Sequence, residues 1–141
     1  MPKPRLTPKN RAIVEKALRA MLRWPETYDQ GSYIFHDPNV RSSGKRPAPY
    51  CGTEACIAGH VALAAGAVPI NGLYVSLRGQ EVRVGDLAEQ IMGPNALMML
   101  FEPDLDGWPE KFAHAFDRAK TPKTRAKIAV TRVRHWLKTG E

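Results

Sequence analysis

The feature that most constrains this chain is the run of small and apolar residues that follows Thr53: Ala55, Cys56, Ile57, Ala58, Gly59, His60, Val61, Ala62, Leu63, Ala64, Ala65 and Gly66. Thr53 is suited to cap a helix with its hydroxyl, and Gly66 to end one in the left-handed conformation. The residues between them are almost all small or apolar, so a helix here has to be buried on most of its circumference. Alanine and glycine recur along it, which lets neighbouring backbones come close. The expectation is a central helix with other elements packed around it. Both cysteines of the chain, Cys51 and Cys56, and one of its four histidines, His60, fall in or beside this stretch.

The rest of the chain has to supply what surrounds that helix. At 141 residues it is expected to form a single domain, 1–141, large enough for a core without staples. No apolar run reaches the length of a membrane span, and no apolar segment follows the charged start Met1-Pro2-Lys3-Pro4-Arg5, as a secretory signal requires. Two cysteines do not make a disulfide framework, so a reduced, cytoplasmic protein is expected. The net charge of +7 is unevenly spread. Residues 1–23 hold seven basic groups against Glu15, and residues 118–141 hold eight against Glu141. The 94 residues between them hold six basic and twelve acidic groups. Basic ends can form a footprint for phosphates, or they can fold back on the acidic middle and leave no large field.

Thr7-Pro8 starts a helix, with Ile13, Val14, Ala17, Leu18, Met21 and Leu22 at helical spacing and Pro25 ending it. Residues 26–35 are polar and aromatic and read as a loop followed by a short strand or helical turn. Residues 36–49 form a long loop carrying Arg41, Lys45 and Arg46, a candidate contact surface. Leu73, Val75 and Leu77, then Val82 and Val84, alternate with polar residues on either side of Arg78-Gly79-Gln80, the pattern of a β-hairpin. A short helix is expected over 87–92. Another, capped by Asn95, contains Leu97, Met98, Met99, Leu100 and Phe101, with the methionines filling core gaps. Asp104-Leu105-Asp106-Gly107 resembles part of a calcium loop, but the remaining ligand positions and the terminal glutamate are missing. Trp108-Pro109 and Thr121-Pro122 open two more helices. The last places Ala126, Ala129, Val130, Val133 and Leu137 on one side and Lys127, Arg134 and Lys138 on the other, and Gly140 stops it.

Two chemical readings attach to the central stretch. Cys56, one turn after the Thr53 cap, is placed for the helix dipole to lower its thiol pKa, and His60 lies one turn on as a base. No third group or oxyanion hole can be read beside them. Alternatively Cys51, Cys56 and His60 offer three metal ligands, with His36, Asp37, His114 or His135 as a fourth, though the second close pair of a usual zinc site is absent. The packing alternative has Gly52 permitting a tight turn, Thr53 capping, Cys56, Ala58 and Gly59 packing tightly, and a partly buried His60 bonded to a backbone carbonyl or to a carboxylate of the segment Pro25-Glu26 to Asp29-Gln30.

The segment Cys51-Gly52-Thr53, Cys56-Ile57-Ala58-Gly59 and His60 resembles the mark of an uncharacterised family of short bacteriophage and bacterial proteins, Cys-Gly-Thr-x-x-Cys-Ile-Ala-Gly followed by Trp or His. Pro25, Glu26, Asp29 and Gln30 upstream, and Leu100-Phe101 and Trp108-Pro109 downstream, are similar too, over residues 24 to 118. The resemblance implies a phage or bacterial context and names no activity. The motif also faintly resembles papain-type and bacteriocin-processing peptidases, in which a cysteine opens a helix, but no later strand carries the histidine those folds need.

The sequence therefore predicts a mainly helical α+β fold: a buried small-residue helix surrounded by N- and C-terminal helices, with one β-hairpin. The leading functional expectation is a non-enzymatic binding protein without a cofactor. It would dock on nucleic acid or a nucleic-acid-bound protein complex through Arg41, Lys45, Arg46, Arg125, Lys127, Arg132, Arg134 and Lys138. An inhibitor of host defence or of transcription fits that expectation. A cysteine-dependent enzyme using Cys56 and His60 is the alternative.

Overall fold

The computed structural model describes residues 3–36, 53–102 and 105–141. The 36–49 loop with Arg41, Lys45 and Arg46 therefore lies almost wholly outside the described residues, as do Cys51 and Asp104.

Helix α1 (Pro8–Arg23) begins as its sequence dictates. The Thr7 hydroxyl accepts from the Asn10 amide at 3.1 Å, and Pro8 occupies the first turn, where its missing N–H costs nothing. Val14, Ala17, Leu18 and Met21 form its buried stripe. Trp24, forced out of helical geometry by Pro25, closes it, and a single 3-10 turn follows over Pro25–Thr27. The chain then runs as strand β1 (Ile34–His36), which pairs antiparallel with β2 (Thr53–Ala55), Ile34 opposite Ala55 and His36 opposite Thr53.

That pairing alters the expected start of the central helix. Thr53 sits in a strand and does not cap; helix α2 (Ile57–Ala64) begins three residues later, with Cys56 at the cap position. The cause is tertiary: β2 finds a backbone partner in β1, and Asp29 donates its amide to the Ala55 carbonyl at 3.0 Å. From Ile57 to Ala64 every residue is buried, as the composition requires. Helices α1 and α3 (Val84–Met92) pack on it. Gly59 permits the tightest approach: a Cβ there would fall 1.8 Å from the Tyr33 carbonyl oxygen.

After α2, a short strand β3 (Val68–Pro69) adds to the expected hairpin of β4 (Tyr74–Leu77) and β5 (Gln80–Arg83). Arg78 and Gly79 turn the hairpin with φ of +53° and +78°, the two positive values that match the twist of the flanking strands. The expected short helix is present over Leu97–Phe101 as a π-helical turn, with Ala96 in place of Asn95 at its cap. Its Leu100 and Phe101 are buried, whereas Met98 is exposed and fills no core gap. Helices α4 (Glu110–Arg118) and α5 (Pro122–Thr139) complete the fold. Thr121 caps α5 by accepting from the Thr124 amide at 3.2 Å. Helix α5 packs on α1, on α4 and on the Pro25–Thr27 turn. The result is a mainly helical α+β architecture with two small antiparallel sheets. No helix among the described residues is long and apolar enough to cross a membrane.

Candidate functional site

Cys56 and His60 share a face of α2, but their surroundings give them structural work. The Cys56 side chain is buried, and loss of solvent pushes its thiol up to about 11, although the Ala58 and Gly59 amides hydrogen-bond to it and pull the other way. The expected lowering by the helix start exists and is outweighed by burial. Such a thiol stays protonated at neutral pH. His60 is also fully buried. Its Nε2 lies 3.1 Å from the Thr27 carbonyl oxygen and 3.3 Å from Thr27 Oγ1, whose own proton goes to the Trp24 carbonyl at 2.6 Å. Two acceptors require Nε2 to carry the hydrogen. Burial lowers the imidazole pKa to about 4, the Thr27 carbonyl partly opposing the shift, so the ring is neutral at pH 7. Of the expected metal trio, Cys51 lies outside the described residues, and His60 Nε2 already donates to Thr27.

The scattered segments of the upstream and downstream motifs converge on this same region. Gln30 accepts from the Tyr28 hydroxyl at 2.7 Å and donates to the carbonyls of Leu100 and Glu102 at 2.9 and 3.1 Å. Trp108 Nε1 donates to the Leu100 carbonyl at 3.4 Å, and the Cys56 amide donates to Ser32 at 2.8 Å. Phe116 meets both Tyr28 and Trp108 edge to face. These residues hold the core together around α2.

The basic residues divide into three groups. Arg132 is a correction: it is fully buried, donating from Nη2 to the carbonyls of Met99 at 3.0 Å and Gly107 at 3.2 Å and from Nη1 to the main-chain oxygen of Glu141. It is therefore no phosphate contact. Burial lowers its pKa to about 10, which leaves it charged at neutral pH. Its position on α5 falls between Ala129 and Val133, on the buried side, a placement readable from periodicity. Arg125, also exposed, turns to a different side from Lys127 and lines a cleft of about 480 Å³ together with Glu26, Asp29 and Glu54.

Lys127, Arg134 and Lys138 remain exposed on α5. Lys123 joins them, because spacings of four, seven and four residues put all four on one stripe about 22 Å long. Arg134 then reaches Glu15 of α1, Nη2 to Oε2 at 3.3 Å. On α1, Arg11, Arg19 and Arg23 lie at multiples of four residues from Glu15, so they follow the same ridge. The two basic ends of the chain thus meet side by side, joined through Glu15. Lys123 and the α1 arginines were not among the expected contacts; their helical spacing was the available signal.

No protein-family model matches the chain, and no curated protein or solved structure matches it.

Proposed function

We propose that this protein is a non-enzymatic binding protein that docks on nucleic acid, or on a nucleic-acid-bound protein complex, through the joined basic ridges of α1 and α5. The observation that carries the reading is the Glu15–Arg134 pair, which sets two cationic helices side by side. Among the described residues of the two ridges, one half-buried carboxylate, Glu15, stands among seven cations, which leaves a strongly positive strip, and phosphates bound there release their counterions. The buried, protonated Cys56 and the neutral His60 favour binding over cysteine chemistry. A bacteriophage or bacterial setting rests on the motif resemblance, a cytoplasmic location on the sparse cysteines, and a role as inhibitor of host defence or transcription on the resemblance and the charge; all three are proposed on that footing.

The test is fluorescence anisotropy of a labelled duplex across a salt series. Engagement of about five phosphates predicts a slope of log K against log salt near −4 to −5, and reversing Lys127 and Lys138 to Glu removes about two units of it. Binding that ignores salt, or that survives the double reversal unchanged, overturns the reading.

A further inference from the structure

Between α4 and α5 runs a groove of about 450 Å³ lined by Lys111, Phe112, Ala115, Lys127, Ile128 and Thr131. Its floor is apolar and fixed. Phe112 is buried, with its ring 5.3 Å from that of His135 and the Arg132 guanidinium 5.8 Å away. Its rims are cationic: the Lys111 ammonium lies 5.1 Å from the Phe112 ring on one bank, and Lys127 stands on the other.

Helix α4 sorts its charges in the same sense. Lys111, Ala115 and Arg118, spaced four and three, share the groove side. Glu110 and Asp117, seven residues apart, lie on a different face, where Glu110 meets His114 at 3.6 Å. Among the described residues, no carboxylate lines the groove.

We infer that this groove is a docking site for an acidic amphipathic helix of a partner protein. The apolar floor rewards buried hydrocarbon, which a phosphate backbone does not offer, and the lysine rims reward flanking carboxylates. Packed helices in general have axes about 8–10 Å apart, and a channel between two of them suits inserted side chains and is too narrow for a nucleic-acid duplex. The site shares only Lys127 with the α1–α5 ridge, and Lys111 and Ala115 belong to the groove alone.

The test titrates the full chain with a labelled peptide of about 18 residues, Leu at helical i, i+3, i+4, i+7 spacing and Glu on the opposite face. Its partners in the experiment are a peptide of scrambled order, one with Lys for Glu, and a single-stranded oligonucleotide. The acidic amphipathic peptide is expected to bind about tenfold or more tightly than the other two peptides and to shift the amide resonances of Ala115, Ile128 and Thr131. Lys111→Glu and Ala115→Glu are each expected to weaken it about tenfold, with Lys111→Glu leaving duplex affinity unchanged. Equal binding of the scrambled or Lys peptide, shifts outside 111–131, or the oligonucleotide shifting the same amides overturns the inference. Loss of salt-dependent duplex binding alone overturns the proposed function and leaves this site standing.

Discussion

His60 Nε2 donates to the main-chain carbonyl of Thr27, 3.1 Å away and 33 positions earlier in the chain. The bond ties α2 to the turn that follows α1, and it does so with a ring that must stay neutral. Because the folded-state pKa is lowered to about 4 from an ordinary 6.5, the unfolded chain takes up a proton that the folded protein refuses. Stability is therefore unaffected by this group above pH 6.5 and declines as pH falls from there towards 4. The total loss is about 3 kcal/mol at the bottom of that window. Urea melts at pH 7 and 4.5 measure it. His60→Gln is expected to lower stability at pH 7 and to flatten this part of the pH dependence.

Gly59→Ala is expected to destabilise the protein by about 3 kcal/mol. The added methyl would meet the Tyr33 carbonyl, the Ala55 Cβ at 2.7 Å and the Ile34 Cγ1 at 2.9 Å, and two of those atoms belong to paired strands that cannot yield cheaply. Gly107→Ala should behave similarly, since its Cβ would lie 1.6 Å from the Met98 carbonyl oxygen. Thermal melts of the two variants check both, and a melting point within a degree or two of the parent would contradict this packing.

Cys56 is expected to resist alkylation in the native state and to react on unfolding. Its thiol is buried and raised to about 11, so thiolate is scarce and access is closed. Iodoacetamide labelling followed by peptide mass spectrometry distinguishes it from Cys51. Rapid labelling of Cys56 at pH 7 without denaturant would mean that the site opens to solvent.

Replacing Arg132 by Ala or Lys should cost about 3 kcal/mol, because the carbonyls of Met99 and Gly107 lose a charge-assisted donor inside the protein. Denaturant melts read this directly. At a temperature where Arg132→Lys remains folded, its nucleic-acid salt slope should equal that of the parent. A lower slope with unchanged stability would return Arg132 to the surface.

Much of the architecture could be read from short-range patterns. Thr7-Pro8 and Thr121-Pro122 open helices within a residue of where their caps predict, and Tyr74–Arg83 forms the expected hairpin. Those features depend on neighbours within a few positions: a hydroxyl three residues from an amide, a ring that fixes φ, alternation about Arg78-Gly79. The burial of α2 was legible for the same reason, since seven of its eight residues are small or apolar and have nowhere else to go. The start of α2 was not legible. Thr53 has the chemistry of a cap, and only the presence of β1 across from it decides that its backbone joins a strand.

The candidate site divides along the same line. Charge segregation to the two ends is a property of composition, and the stripe of Lys123, Lys127, Arg134 and Lys138 is a property of helical pitch; both belong to the amino-acid order alone. That the ends adjoin, that Arg134 meets Glu15, that Arg132 turns inward and that Cys56 loses its acidity were decided by packing. Helix geometry is set by atoms a turn apart. Which helices meet, and how much water remains around a thiol or a guanidinium, depends on residues a hundred positions away. That information exists only once the chain has closed on itself.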